Sequence, residues 1–274
     1  MRRSALLAVL LGLVAALPCS AADPAAPLPR RVLFIGNSYT SVNNLPGIFQ
    51  EIVASAGQRA PAIAAVTPGG ATLDQQRKLP ETLAIIDRGG WDVVVVQGQS
   101  LEAAFAEQYA SARASFLAGA VGLYDRIKAR SPAATVVLYE TWARHGDYWK
   151  DPKADQTLGR SPADMQSRIR KWYAAAAQEI STRRGAGRTH DVVVAPVGDA
   201  WERNYRDPDP IRLHVSDGSH PNFAGSYLAG LVIYAAVYHP ADLAIAWHGA
   251  LSQSEAARLQ QIAMRVRQPR RAEP

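Results

Sequence analysis

Five short apolar runs constrain the fold of this chain more strongly than any other feature. Each is apolar along most of its length, as buried strands are, and a longer segment with helical periodicity follows each of them. The runs are RVLFIG (31–36), APAIAAV (60–66), WDVVVVQ (91–97), ATVVLYE (134–140) and HDVVVAPV (190–197). Helices are predicted at 44–56, 72–87, 102–130, 162–184, 221–237 and 252–267. This alternation predicts an α/β fold, a three-layer α/β/α sandwich around a five-stranded parallel sheet.

The first 22 residues have the anatomy of a secretory signal peptide. Arg2 and Arg3 precede an apolar run over 5–17, and small residues occupy 20–22. The run is shorter than the roughly 20 apolar residues of a membrane-spanning helix, so we predict no stable membrane insertion. We predict that residues 1–22 are removed on export and that the mature protein is secreted or periplasmic.

Cys19, the one cysteine of the chain, offers an alternative to free release. A lipid anchor on Cys19 would make the protein a lipoprotein, but Pro18 directly before it is a poor residue for that processing. Cleavage near Ala21 or Ala22 would remove Cys19, and the mature chain would then hold no disulfide, although export permits one.

The remainder of the chain is predicted to form one domain. Its roughly 250 residues suit an undivided α/β domain. We expect an exposed leader at 23–29, the domain at 30–268 and a basic tail at 269–274. The formal net charge of +6 includes four arginines near the C-terminus, Arg265, Arg267, Arg270 and Arg271. Because a basic end after a helix is usually solvated, we predict no nucleic-acid partner. The sequence does not indicate an oligomeric state.

Ser38 lies on the turn that leaves the first predicted strand, where a hydroxyl would be exposed at the edge of the sheet. Gly36, Asn37 and Ser38 are also ordinary turn residues, so this position alone does not define a nucleophile. Asp217 and His220 lie three residues apart in a polar loop. That spacing lets a carboxylate orient an imidazole that accepts a serine proton. Ser38, His220 and Asp217 together therefore predict a catalytic triad, called the relay below.

Two of these segments resemble sequence blocks of the SGNH/GDSL hydrolase superfamily. FIGNSYT (34–40) is similar to the GDS block, with Asn37 where the family usually has Asp. DGSHPN (217–222) is similar to the closing D-x-x-H block. The resemblance implies a flavodoxin-like three-layer fold.

Two intermediate blocks extend the resemblance over nearly the whole mature chain. TPGGAT (67–72) stands where the family has a glycine whose N–H helps to hold the oxyanion, and Gly70 matches that position. QGQS (97–100) stands where the family usually has G-x-N-D, so Gln99 replaces the expected Asn. This departure leaves Gln97 as the alternative amide. The pattern is also similar to the Q-G-E-S of carbohydrate-directed acetylesterases.

The resemblance implies a serine hydrolase that cleaves a carboxylic ester through an acyl-enzyme, and the predicted signal peptide makes it an exported one. Ser38 would attack the carbonyl, His220 would accept and return the proton, and Asp217 would hold His220. The backbone N–H groups of Ser38 and Gly70, with the Gln99 amide, would stabilise the developing negative charge. The substrate would be a small-molecule or glycan ester, with O-acetylated glycans favoured. No cofactor or metal is implied.

Two alternatives would use other groups for hydrolysis. GQSLE (98–102) matches the G-x-S-x-G elbow of the α/β-hydrolase fold except at its last position, where Glu102 replaces glycine. Ser100 is therefore a rival nucleophile, although the sequence shows no separate acid for it. His214, Asp217 and His220, at three-residue spacing, could supply ligands for a metal-dependent hydrolase.

Two further alternatives concern sugars. Glu140 could pair with Asp217 as the two carboxylates of a glycosidase. We expect instead that several side chains after the fourth strand line or cover the substrate cleft, namely Glu140, Trp142, His145, Tyr148 and Trp149. A packed surface loop is the alternative, and for Trp142 and Trp149 both options stay open. A non-catalytic carbohydrate-binding protein is the remaining alternative, and it has no need of the three relay residues.

Overall fold

The structure is a computed structural model, and it describes residues 28–184 and 191–267. The predicted signal peptide (1–22) with Cys19, residues 23–27 of the leader, and the basic tail (269–274) lie outside the described residues. No helix within the described ranges is both long enough and apolar enough to cross a membrane.

A five-stranded parallel sheet forms the centre of the fold, in the order β2-β1-β3-β4-β5. The strands are β1 (Arg31–Ile35), β2 (Ala62–Val66), β3 (Val93–Val96), β4 (Thr135–Tyr139) and β5 (Val192–Ala195). Each strand lies within one of the five apolar runs, and helices cover both faces of the sheet. The predicted α/β class and its three-layer sandwich are therefore confirmed.

Ten α-helices connect and cover these strands in the described part of the chain. They are α1 (Ser38–Ser41), α2 (Leu45–Ser55), α3 (Leu73–Gln76), α4 (Pro80–Asp87), α5 (Glu102–Gln108), α6 (Ala110–Arg130), α7 (Pro162–Arg184), α8 (Val197–Tyr205), α9 (Phe223–Tyr238) and α10 (Gln253–Arg267). Short 3-10 helices at Val42–Asn44, Gly146–Lys150 and Gln156–Leu158 lie in the connections after β1 and β4.

Three helical segments differ from the sequence prediction. The predicted helix 72–87 is two helices, because the backbone is extended just before Pro80, which begins α4. The predicted helix 102–130 breaks at Tyr109, whose φ of −116° and ψ of 117° are extended. Helix α8 is missing from the prediction, because the apolar run that forms β5 continues in sequence to Val197, the first residue of α8.

Alternating strand residues face the two helical layers. Phe34 and Val95 pack with α2, α8, α9 and α10, whereas Leu33 and Val94 pack with the layer of α3 to α7. Helix α9 has buried residues on every side along 224–235, as expected of a helix enclosed by its own layer and the sheet. Its enclosure fixes the polar loop that leads into it.

The strand order reverses at β1, which has β2 on one side and β3 on the other. Ile35 is paired with both Val66 and Val96, so these three strands end at the same level. In open α/β sheets, ligands bind in the crevice at the carboxyl ends of the strands where the order reverses. The loops after β1, β2 and β3 open on this crevice.

Candidate active site

Ser38 begins α1, three residues after the end of β1. Asn37 caps the helix, since its Oδ1 accepts the backbone N–H two residues later at 3.1 Å. A Cβ at Gly36 would collide with the Thr40 hydroxyl and lie 2.7 Å from Gln97 Oε1, so the turn requires glycine. The turn leaves Ser38 half-buried at the edge of the sheet.

The structure brings the three predicted relay residues into contact. Ser38 Oγ is 2.9 Å from His220 Nε2, and His220 Nδ1 is 2.6 Å from Asp217 Oδ2. Asp217 Oδ1 accepts the backbone N–H groups of Ser219 and His220 at 2.8 and 2.9 Å. Partial burial raises the pKa of Asp217, but these hydrogen bonds outweigh it and lower the value to about 2. An ionised Asp217 keeps the imidazole proton on Nδ1, which leaves Nε2 free to accept the Ser38 proton.

A stack of three aromatic rings supports the loop that carries His220. Trp142 lies between Tyr39 and Trp201, with ring centroids 4.4 and 3.8 Å away and interplanar angles of 2° and 5°. The Trp142 indole N–H donates to the Ser219 carbonyl at 3.0 Å, and the Tyr39 hydroxyl lies 2.8 Å from Ser219 Oγ. Trp142 is only 1% exposed, which excludes a position in the cleft wall and supports the alternative of a packed residue. Trp142 is a packed residue that holds the His220 loop through its hydrogen bond to Ser219.

Gly70 and Gln99 lie on the loops after β2 and β3. Gly70 has a φ of 69°, a conformation that favours glycine, and a Cβ built on it meets no atom within 4 Å. Gln99 Oε1 accepts the Leu101 N–H at 2.6 Å, and Gln99 Nε2 donates to Ser100 Oγ at 3.3 Å. Because a primary amide has two N–H donors, the Gln99 side chain retains one for another acceptor.

Gln97 is fully occupied within the protein. Its Oε1 accepts the Asn37 N–H at 3.0 Å and the Thr40 hydroxyl at 2.8 Å. Its Nε2 donates to Asn37 Oδ1 at 3.0 Å and to the Gly98 carbonyl. Gln97 is therefore a buried support of the Ser38 turn and has no amide proton left for a substrate oxygen.

Glu102 connects the loops after β2 and β3, a role that the sequence did not predict. Its Oε2 accepts the backbone N–H groups of Leu73 and Gln99 at 3.1 and 3.2 Å. Burial raises the pKa of Glu102 to about 7, against the effect of these hydrogen bonds. An acidic residue in the first turn of a helix is ordinary, so the sequence carried no signal for this role.

Ser100 lacks the partner that a nucleophilic serine needs. It is 6% exposed, and its hydroxyl receives a hydrogen bond from Gln99 and lies in hydrogen-bonding contact with Tyr39. No imidazole in the described part of the chain contacts it. The rival assignment of Ser100 as nucleophile therefore has no base in this structure.

His214 is a buried structural residue. Its Nδ1 is 2.8 Å from the Tyr205 hydroxyl and its Nε2 is 3.2 Å from the Ala143 carbonyl, so both ring nitrogens are used. Burial lowers the pKa of His214 to about 3, and the imidazole is neutral. His214 does not join Asp217 and His220 as a ligand set, and the described residues contain no group of three or more side chains suited to a metal ion.

Glu140 is buried away from the relay. It is 2% exposed, and its Oε1 accepts the Gln166 side-chain N–H at 2.9 Å. Burial, together with the neighbouring Asp199, raises the pKa of Glu140 well above its usual range. The side-chain contacts of Glu140 lie on α7 and α8, so neither a glycosidase pairing with Asp217 nor a place in the cleft wall is supported.

The other predicted rim residues, His145, Tyr148 and Trp149, are half-buried in the segment after β4. The His145 backbone N–H donates to the Gly218 carbonyl at 2.9 Å, which ties the segment to the relay loop. Tyr148 and Trp149 pack edge to face with ring centroids 5.0 Å apart. These residues therefore lie in a segment that borders the relay loop through His145.

Comparison with solved structures finds similar folds at low sequence identity. A DUF4886 family protein from Bacteroides uniformis is 16% identical, with a TM-score of 0.67 over 86% of this chain and 93% of that chain. A lipase/acylhydrolase from Enterococcus faecalis is 18% identical, with a TM-score of 0.53 over 77% and 96%. An acetylxylan esterase from Geobacillus stearothermophilus is 15% identical, with a TM-score of 0.50 over 76% and 94%. No protein-family model and no curated protein matches the sequence.

Strand order and layering define a doubly wound α/β/α sandwich with an all-parallel sheet. Within that class, the fold is the one found in the SGNH hydrolase superfamily, in agreement with the resemblance of the four sequence blocks.

Proposed function

We propose that this protein is a serine hydrolase that cleaves carboxylic esters. The observation that carries the proposal is the unbroken relay from Ser38 through His220 to Asp217, with contacts of 2.9 and 2.6 Å. It lies in the crevice of the sheet where such folds bind ligands. The lipase/acylhydrolase and the acetylxylan esterase that share this fold support the same class of reaction.

In the first step, Ser38 Oγ attacks the ester carbonyl carbon while His220 Nε2 takes the hydroxyl proton. Asp217 stabilises the imidazolium that forms. His220 then gives the proton to the departing alcohol as the carbon–oxygen bond breaks, which leaves an acyl group on Ser38. In the second step, a water molecule loses a proton to His220 and attacks this acyl group. His220 then returns the proton to Ser38 Oγ as the bond between that oxygen and the acyl carbon breaks, which releases the acid and restores Ser38.

We assign three donors to the negative charge that develops on the carbonyl oxygen. Ser38 occupies the first position of α1, where a backbone N–H has no acceptor within the helix. The Gly70 N–H and the remaining N–H of the Gln99 amide complete the set. Loss of one such donor costs about 3 kcal/mol of transition-state stabilisation.

The substrate class we propose is a small-molecule or glycan ester, with an O-acetylated glycan favoured. The QGQS segment at 97–100 resembles that of carbohydrate-directed acetylesterases, and an acetylxylan esterase shares the fold. We also propose that residues 1–22 direct export and are removed, so that a single domain at 30–268 acts in the periplasm or outside the cell. N-terminal sequencing of the protein recovered from cell fractions tests the export proposal.

Hydrolysis of p-nitrophenyl esters of increasing acyl length, and of acetylated xylan, tests the proposed reaction. The proteins to compare are the wild type, Ser38→Ala, His220→Ala and Ser100→Ala, each with and without EDTA. We expect kcat to fall by at least about 1,000-fold in Ser38→Ala and His220→Ala, with no effect of chelator. We expect Ser100→Ala to retain activity.

Other results of these assays would support the competing assignments. Activity that survives Ser38→Ala but is lost in Ser100→Ala would make Ser100 the nucleophile, and loss with EDTA would indicate a metal-dependent reaction. Sugar binding by a wild-type protein that turns over none of these esters would favour the carbohydrate-binding alternative.

A further inference from the structure

Arg144 places a positive charge beside the relay. Its Nη1 donates to the Tyr39 hydroxyl at 3.3 Å, and the same hydroxyl lies 2.8 Å from Ser219 Oγ. Tyr39 follows Ser38 in the chain and Ser219 precedes His220. The guanidinium is therefore one side chain away from both the nucleophile turn and the histidine loop.

The charge of Arg144 has no counterpart among the described side chains. Arg170, by comparison, pairs with Asp199 and Glu202 at 2.5 and 2.6 Å. Arg144 is half-buried, and the only described side-chain acceptor of its guanidinium is the neutral Tyr39 hydroxyl. Asp217, the acid of the relay, uses both of its oxygens on His220 and on backbone N–H groups. A guanidinium has five N–H donors, so most of those of Arg144 are left for another acceptor.

A second guanidinium, that of Arg212, contacts the backbone next to His214. Arg212 donates to the carbonyl oxygens of His214 and Val215 at 3.1 and 3.4 Å, and its charge also helps to lower the pKa of Asp147. The charges of Arg144 and Arg212 add to the effect of burial in lowering the pKa of His214. The charge of Arg212 is partly balanced by Asp147, whereas Arg144 leaves a positive charge beside the relay that can attract a ligand of the opposite sign.

We propose that Arg144 is a specificity-determining residue that binds a carboxylate on the substrate, so that the preferred substrate is an anionic ester. The inference rests on the proposed ester hydrolysis and adds the charge of the substrate to it. A guanidinium matches a carboxylate with two parallel hydrogen bonds, which a neutral ester cannot form. The carboxylate belongs either to the acyl group or to the alcohol, as in an ester of a uronic acid sugar.

Two matched pairs of esters test the proposal and separate the two sources of charge. The acyl pair is the p-nitrophenyl monoester of succinate and its methyl-capped form, and the alcohol pair is para-acetoxybenzoate and its methyl ester. We expect the wild type to cleave the anionic member of one pair with a kcat/KM at least about tenfold above the neutral member. Arg144→Gln should bring this ratio to about 1 while kcat/KM on the neutral ester changes less than about threefold.

Two variants control for charge and for folding. Arg144→Lys keeps the positive charge but loses the two parallel N–H donors of the guanidinium, so it should keep part of the preference for the anionic ester. Arg160→Gln removes an exposed arginine of the same segment, 87% exposed at its side chain, and should leave the ratio unchanged. A ratio that is equal in the wild type and Arg144→Gln would overturn the proposal, whereas misfolding of Arg144→Gln would abolish cleavage of the neutral esters as well.

If the wild type cleaves none of these esters, binding of succinate, measured by isothermal titration calorimetry, tests whether Arg144 binds a carboxylate. That result would remove the proposed hydrolysis but not the carboxylate site. We expect succinate to bind the wild type at least about tenfold more tightly than Arg144→Gln. Equal affinity, or no binding to either protein, would overturn the site itself.

Discussion

Gln97 and Asn37 are joined by two hydrogen bonds of opposite direction, both 3.0 Å long: Asn37 N–H to Gln97 Oε1, and Gln97 Nε2 to Asn37 Oδ1. Gln97→Leu would leave the Asn37 N–H and the Thr40 hydroxyl buried without an acceptor and would remove one of the two donors to Asn37 Oδ1. We expect the free energy of unfolding to fall by at least about 3 kcal/mol in urea denaturation, and kcat to fall with it, because the Ser38 turn loosens. Gln178→Leu, an exposed change, should alter stability by less than about 0.5 kcal/mol. Equal stability of the two variants would contradict this role of Gln97.

Trp142→Phe keeps an aromatic ring in the stack but removes the N–H that donates to the Ser219 carbonyl. We expect a loss of about 1 kcal/mol of stability and a fall in kcat of about three- to tenfold, because the His220 loop gains freedom. Trp91→Phe is the matched control, since its indole N–H also donates to a carbonyl, that of Ile85 at 3.1 Å, at the opposite edge of the sheet. It should lose similar stability with unchanged kcat. A normal kcat in Trp142→Phe would remove the proposed effect on the loop.

Asp217→Asn retains the size of the side chain but loses the charge that stabilises the imidazolium. We expect kcat on p-nitrophenyl acetate to fall by at least about 100-fold, with folding unchanged by circular dichroism. Asp209→Asn, whose side chain is 96% exposed, should leave kcat unchanged. A loss below about threefold in Asp217→Asn would mean that other groups hold the His220 ring.

Glu102 gives the stability of the protein a specific dependence on pH. Burial raises its pKa from 4.5 to about 7, so between these values the folded state keeps a proton that the unfolded state has released. The contribution of Glu102 to the unfolding free energy therefore falls as pH rises from about 4.5 to 7, by an amount on the order of 3 kcal/mol, and does not change outside that range. Glu102→Gln cannot titrate, so the difference in unfolding free energy between the two proteins should change over this range. A difference that stays constant from pH 4 to pH 8 would place the pKa of Glu102 near its usual value.

The sheet was predictable because a strand buried on both faces has to be apolar along most of its length. The apolar runs at 31–36 and 91–97 show this pattern and contain β1 and β3. Helix α8 escaped prediction because it follows β5 after a single residue, Pro196, and shares the apolar end of its run. Local pattern therefore identifies strands well, but not where a strand passes directly into a helix.

The site was partly predictable, since Ser38, Asp217 and His220 adjoin predicted strand or helix ends. Residue type alone does not distinguish an aromatic ring at the cleft from one beneath it. The sequence therefore leaves both options open for Trp142, which is stacked between two other rings. Long-range partners such as Gln97 for Asn37, 60 residues apart, likewise leave no local trace in a sequence.

The contact between Ser38 and His220 joins residues that are 182 positions apart in the chain. A fragment that lacks either end of this span cannot form the pair, and neither can a folding intermediate in which α9 has not docked. The extent of Ser38 labelling by a fluorophosphonate reagent, which reacts with activated serines, would then report how many molecules have completed folding. During refolding, labelling of Ser38 should lag behind the gain of helical circular dichroism, since contacts distant in sequence form late.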